Sequence, residues 1–436
     1  MTEETTSPVH DAQPRDQYAV VADGVWDGVA DARADGLAVV VAGRTIESLR
    51  PAAELPSDVP RIDLPGCTLL PGFIDAHVHY SSVMGPAFLA AGVTTVRDTG
   101  NDLAWILGQR ELNERQADRG PAVVCCGQLQ DGPEPYWPRM GRANADADAV
   151  RRSVREHIEY GVDTIKLYPG LDKEMTAAGI DEAHRLGKPA TAHLGSCTVE
   201  DAVAAGLDCI EHLAECHVAW REATPEEDDA LINLLAEHGV AIDPTLVIWD
   251  RGAKRLDLVF GRDESRHWVH PAHRRYWESG PLRSDQAEVR LKRQLQITHL
   301  KRFLGRAHER GVMVAIGTDT PFPLLTPGFS LHDEMGVYAD AGIEPVDVLR
   351  SATSVNAKLL GIESRTGHIR PGFEADLVAV RGNPLRDIRH VGNVEFVTRR
   401  GQVMDRERLR RDVEATFDET PDDAITNDLL DRLKKG

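Results

Sequence analysis

No apolar run in the sequence approaches the ~18 residues of a membrane-spanning helix. The opening stretch, 1–17, is polar and acidic and has neither a basic patch nor an apolar segment, so it predicts a disordered terminus without a signal peptide. The default location is therefore the cytoplasm. Positive charge is also short: 50 Lys and Arg stand against 70 Asp and Glu, a net charge of −20. That balance argues against nucleic acid or an anionic membrane as partner. The six cysteines, Cys67, Cys125, Cys126, Cys197, Cys209 and Cys216, include no C-x-x-C pair. A structural zinc knuckle is not expected, whereas buried, reduced thiols are. Internal repeats and low-complexity tracts are absent as well.

What is present suits one large domain and one smaller one: 436 residues, 42% of them apolar. Residues 18–70 read as short strands separated by Gly, Pro and Asp, for example 18–22 and 37–42. From residue 71 the pattern changes. Eight short apolar runs, near 72–79, 93–98, 122–126, 163–168, 189–193, 208–212, 240–246 and 312–319, alternate with amphipathic stretches such as 101–118, 145–160, 173–186 and 226–238. Alternation of this kind predicts an α/β fold, a (β/α)8 TIM barrel over 71–360. After 360 strands return, at 367–380 and 394–403, and are expected to join 18–70 in a composite β-sandwich domain (18–70 with 361–405). Residues 406–436 are highly charged and predict an exposed helix and tail. A charged, aromatic-rich insertion at 249–283, with His267, Trp268, His270, His273 and Trp277, follows the seventh run; it would lie over the barrel mouth or pack as a surface excursion.

The chemistry is concentrated at the ends of the runs. Pro71-Gly-Phe-Ile-Asp-Ala-His77-Val-His79 carries an H-x-H pair, and strand alternation puts both imidazoles on one face. Lys166, His193, His212 and Asp319 close four other runs. In a parallel barrel the strand C-termini gather at one face, so these six groups of metal-ligand type would converge. A lysine at the end of an apolar strand is costly unless something satisfies it. Tyr168, Arg139 and Trp137 lie in loops that should reach the mouth. Arg139 either binds a substrate carboxylate or is a solvated surface residue. His332 and Glu334 read as polar residues positioning the helix after the eighth run.

These motifs, with Gly92-Val-Thr-Thr-Val-Arg-Asp98, Ile165-Lys166, Thr191-Ala-His193, Ile210-Glu-His212, Gly317-Thr-Asp319, Gly367-His-Ile-Arg-Pro-Gly372 and Ala375-Asp-Leu-Val378, resemble the amidohydrolase superfamily, especially its imidazolonepropionase-like and Xaa-Pro-dipeptidase-like branch. The resemblance runs from about residue 65 to 388. It implies two divalent metal ions, zinc by ligand type. His77, His79 and Asp319 would hold one, His193 and His212 the other, and a CO2-derived carbamate on Lys166 would bridge them with a hydroxide. Asp319 would be the general base and acid. The implied reaction is cleavage of a C–N bond in a small molecule such as a dipeptide or N-acyl amino acid. Lactone or ester hydrolysis, or deamination, stand as alternatives on the same barrel; a non-catalytic scaffold is a remote one. A homo-oligomer is compatible with all of these. Relatives often carry Gly-Gly-His after the third strand, where this chain has Cys126-Gly127-Gln128. Gln128 can donate a hydrogen bond to a developing oxyanion but cannot act as an acid. After the sixth run the chain reads His212-Leu-Ala-Glu215-Cys-His217, without the tyrosine frequent in those relatives.

Overall fold

The computed structural model describes residues 17–213, 224–254, 267–279 and 287–435. The stretch expected to be disordered, Cys216 with its neighbours Glu215 and His217, and much of the 249–283 insertion lie outside these residues; Gln17 already belongs to the first strand.

The first five strands are β1 (Gln17–Val25), β2 (Ala34–Asp35), β3 (Leu37–Ala42), β4 (Thr45–Pro51) and β5 (Arg61–Pro71). Nine follow in the middle of the chain: β6 (Phe73–Val78), β7 (Val93–Asp98), β8 (Ala122–Cys125), β9 (Leu129–Asp131), β10 (Gly141–Ala143), β11 (Ile165–Leu167), β12 (Ala190–Ala192), β13 (Cys209–Glu211) and β14 (Ala241–Asp243). The last three are β15 (Leu377–Arg381), β16 (Val394–Arg399) and β17 (Gln402–Val403).

Both chain ends build one eight-stranded sheet, ordered β17-β16-β15-β5-β1-β3-β4 with β2 on β1. The two halves join where β15 pairs antiparallel with β5, Val378 opposite Leu70. Val20, Val39, Leu69, Leu377 and Phe396 share a core there. β-Branched and aromatic side chains suit a pleated, half-buried surface.

The middle of the chain forms two parallel sheets, β6-β7-β8 and β10-β9-β11-β12-β13-β14. Seven of the eight apolar runs coincide with β6, β7, β8, β11, β12, β13 and β14. The eighth, 312–319, was expected as a strand but forms no continuous ladder. Isolated parallel bridges hold it instead, Val314 to Ile242 and Thr320 to Val78. Its backbone also bonds to both neighbours: Ala315 N–H donates to Ile242 O (2.9 Å), and Ala76 N–H donates to Ile316 O (3.0 Å). At its end Asp319 sits at φ +63°, left-handed backbone that turns the chain out of strand geometry. On the other side, Asp163 N–H donates to Cys125 O (2.9 Å) and ties the approach to β11 to β8.

The amphipathic stretches are helices Leu103–Arg115, Ala147–Tyr160, Lys173–Arg185 and Pro225–His238. Each starts at a side chain that accepts an orphan N–H: Asp102, Asp146, Asp172 and Thr224. His332 donates from Nε2 to Ala91 O (2.9 Å), and Glu334 accepts from Leu246 N–H (2.8 Å) and Val247 N–H, so both anchor helix Phe329–Asp340.

The charged C-terminus departs from expectation. It forms helices Arg406–Ala415 and Ala424–Lys435, and the second is not an exposed tail. Ile425 and Leu429 are buried against Trp137, Val269, Tyr276 and Trp277. An apolar pair at i and i+4 is enough to seat one helix face, and the surrounding charge conceals it in the sequence. No helix among the described residues is long and apolar enough to cross a membrane.

Candidate active site

His77 and His79 stand at the end of β6, and each has one ring nitrogen committed outward. His77 Nδ1–H donates to Glu211 Oε2 (2.6 Å) and His79 Nδ1–H to the carbonyl of Gly100 (3.0 Å). Those bonds set the tautomer and leave both Nε2 atoms as lone-pair donors facing Asp319 Oδ1, at 3.3 and 3.2 Å. The same strand end meets the 312–320 segment closely. A Cβ on Gly317 would lie 2.5 Å from His77 Cβ and 2.7 Å from Asp243 Oδ2. Gly317→Ala should therefore displace His77, lowering stability by about 1–3 kcal/mol and metal content with it. Denaturant titration and metal analysis check this, and a wild-type midpoint with full metal would contradict it.

His212 and Asp319 follow β13 and the eighth run, and both have left-handed backbone, φ +60° and +63°. Such strain persists only where surroundings enforce it. Here His212 N–H donates to Asp243 O (2.9 Å) and Asp319 N–H to His77 O (2.7 Å). The turn swings both side chains inward. The imidazoles form a continuous cluster, with ring centroids 5.8 Å apart for His77–His79, 4.4 Å for His77–His212 and 4.9 Å for His193–His212. Burial, with Lys166 nearby, holds His193 down to about 3, and burial, with His77 nearby, holds His212 well below the usual range. Both are neutral imidazoles, the ligand form. Burial alone would raise the Asp319 carboxyl, but the surrounding His212, His77 and His79 outweigh burial and keep it well below the usual carboxylate range.

Lys166, the middle residue of β11, is buried, and its Nζ has no hydrogen-bond partner among the described residues. His77 Nε2 and Asp319 Oδ1 likewise lack hydrogen-bond geometry to any partner. Isolated buried polar atoms are expensive, and three around one point mark a place prepared for something else. His77, His212 and Asp319 offer ligand atoms all within 4.8 Å of one another. The donor set, imidazole, carboxylate and a lysine that CO2 can convert to a carbamate, fits divalent cations.

Beneath the histidines lies a buried network that sequence reasoning missed. Arg97 donates to Glu211 Oε1 (2.6 Å), Thr191 Oγ1 donates to the same oxygen, and Asp243 Oδ2 lies 3.4 Å from the guanidinium. Burial opposes ionisation of Glu211, but Arg97 overrides it and its pKa is depressed. Burial and the Glu211 charge push Asp243 up. Glu211 therefore carries the charge that orients His77. Its position one residue before His212 was the available signal, since alternation turns the two to different sides of the strand.

One cavity of about 670 Å³ is lined by His77, His79, Lys166, His193, His212 and Asp319 together. Tyr168 lines it too, its ring 5.1 Å from that of His193. Gln128 and Arg139 are corrections, because neither is among the lining residues. Gly127, at φ +69°, turns the chain so that Gln128 Nε2 is directed at Gly141 O (3.5 Å). Arg139 is held by Asp428 (3.2 Å) and Asp431 (2.7 Å) of the C-terminal helix. Of the insertion, Trp249, Gly252 and Tyr276 reach the cavity. Phe322 also lines it, a contact that sequence reasoning did not anticipate.

The amidohydrolase family pattern matches residues 68–404, and the chain belongs to that family. Ochratoxinase from Aspergillus niger is 25% identical over 281 residues, 60% of this chain and 50% of that protein; the chain thus spans about half the length of this curated relative. Among solved structures, a Xaa-Pro dipeptidase with bound methionine superposes with a TM-score of 0.70 at 23% identity, covering 89% of this chain and 100% of the other. The bottromycin amidohydrolase AH gives 0.74 at 23% identity, covering 92% and 91%. At that identity the likeness is one of fold.

Proposed function

We propose that the chain is a metal-dependent hydrolase that cleaves a C–N bond, amide or peptide-like, in a small molecule. The observation that carries this reading is one cavity lined by all six ligand-type residues, with Lys166 Nζ, His77 Nε2 and Asp319 Oδ1 buried and lacking hydrogen bonds among the described residues. The same reading takes the two parallel sheets, linked by the 312–320 segment and the β8–β11 approach, as a closed (β/α)8 barrel spanning 71–360. The terminal sheet then folds over as a β-sandwich domain, which is supported by Ile46 N–H donating to Phe373 O (2.8 Å) and Tyr18 Oη donating to Gly401 O (2.8 Å). The five described cysteines are unpaired and buried, which suits a reducing cytoplasm.

In this reading His77, His79 and Asp319 would hold one divalent cation and His193 and His212 another, with Lys166 as its carbamate between them. Zinc suits these ligands, although manganese, cobalt or iron could serve. When bound, the ions would supply Lewis acidity toward the scissile carbonyl and toward a water. The chain's own part is positional and protonic. Glu211 and the Gly100 carbonyl lock the two β6 imidazoles. Asp319, kept ionised at neutral pH, accepts the proton of the attacking water and returns it to the departing nitrogen.

Metal analysis followed by a screen of dipeptides, N-acyl amino acids and lactones tests the proposal. About two metal equivalents per chain are expected, with amide hydrolysis lost on chelation and restored by divalent metal. A protein that binds no metal after reconstitution and hydrolyses none of these compounds would overturn it. Turnover confined to lactones would move the reaction to C–O bonds on the same site.

A further inference from the structure

Aromatic residues make up 5% of the chain, yet six of the twenty residues lining the cavity are aromatic: Tyr136, Trp137, Tyr168, Trp249, Tyr276 and Phe322. Trp137 is the centre of this wall. It is buried, and its indole N–H donates to Tyr168 Oη (2.9 Å). Tyr168 in turn abuts His193, while Phe322 meets Trp137 edge-on at 5.8 Å and His79 at 5.9 Å. The wall thus spans the cavity from one pair of histidines to the other.

What holds Trp137 in place comes from the far end of the chain. The guanidinium of Arg432, on helix Ala424–Lys435, lies 3.9 Å over the Trp137 ring and 4.2 Å over Tyr136. Asp428 on the same helix is buried and accepts from the backbone N–H groups of Arg139 (3.1 Å) and Met140 (3.3 Å). From inside, Asp131 Oδ2 accepts from Tyr136 N–H (2.8 Å). The loop is clamped from both sides, so Trp137 presents a fixed surface.

We propose that this site takes amides bearing a planar aromatic ring next to the scissile bond, that Trp137 selects the ring, and that Arg432 and Asp428 are positioning residues acting through Trp137. The inference rests on the hydrolase reading only in taking this cavity as the substrate site. Preformed aromatic walls favour rings through offset or edge-on contacts that a saturated ring of the same size cannot make.

Calorimetry with 2-naphthamide and its saturated counterpart decahydro-2-naphthamide separates ring recognition from mere apolar burial. The wild-type protein should bind the aromatic amide about tenfold more tightly, and Trp137→Ala should bring the two within about twofold. Arg432→Ala and Asp428→Asn, which leave the indole in place, should each cut the preference about threefold, with metal content unchanged and KM rather than kcat altered on aromatic amides. If circular dichroism shows Trp137→Ala unfolded, Arg432→Ala decides. Equal affinities in the wild type, or a preference that survives in every folded variant, would overturn the proposal. A protein that prefers the ring but hydrolyses no amide would sink the hydrolase reading and leave this one standing. Hydrolysis of aromatic and aliphatic amides with equal efficiency would do the reverse.

Discussion

Asp319→Asn should lower turnover at least ~100-fold while the protein still binds metal. The amide keeps the size of the carboxylate and one oxygen near His77 and His79, whose Nε2 atoms lie 3.3 and 3.2 Å from Oδ1. What it loses is the basic lone pair that would take a proton from water and pass it on. The loss should fall on kcat, because in the proposed reading this carboxylate moves a proton rather than holding the substrate. Steady-state kinetics beside metal analysis provide the check. Near-wild-type kcat in a metal-loaded Asp319→Asn protein would remove Asp319 from the proton path.

Lys166→Ala should cost metal rather than fold. Lys166 Nζ is buried without a hydrogen-bond partner among the described residues, so an unmodified lysine there carries a desolvation cost in the metal-free protein. Alanine should leave the unfolding midpoint of the metal-free protein unchanged or raised. Bound metal should fall from about two equivalents to one or fewer, because the oxygens of the proposed carbamate would be lost. Acetate or propionate, small enough to occupy the vacated space, should restore part of the metal and activity. Unchanged stoichiometry would count against a bridging role, and a large drop in metal-free stability would show that Lys166 has a structural partner instead.

The sites of these two substitutions were legible in the sequence because the rules that place them are local. Side chains alternate along a strand, and parallel strands present their C-termini at one face. Given strands at 73–78, 165–167, 190–192 and 209–211, the neighbouring His77, His79, Lys166, His193 and His212 have few other places to go. Gln128 and Arg139 had the right residue types near the right strand end, but their directions depend on the positive φ of Gly127 and on two aspartates almost 300 positions further on. Glu211 was visible as a residue, but its partnership with Arg97 was not, because the ion pair crosses 114 positions.

By itself, then, the sequence determined the alternating architecture, the strand-end cluster of metal-ligand type and the family, all consequences of periodicity and short motifs. Tertiary structure alone decided which orphaned atoms face one another, that a charged C-terminal helix packs against the site, and that Trp137, Phe322 and Tyr276 share one wall. Those outcomes depend on contacts between segments far apart in the chain, whose directions no local pattern encodes.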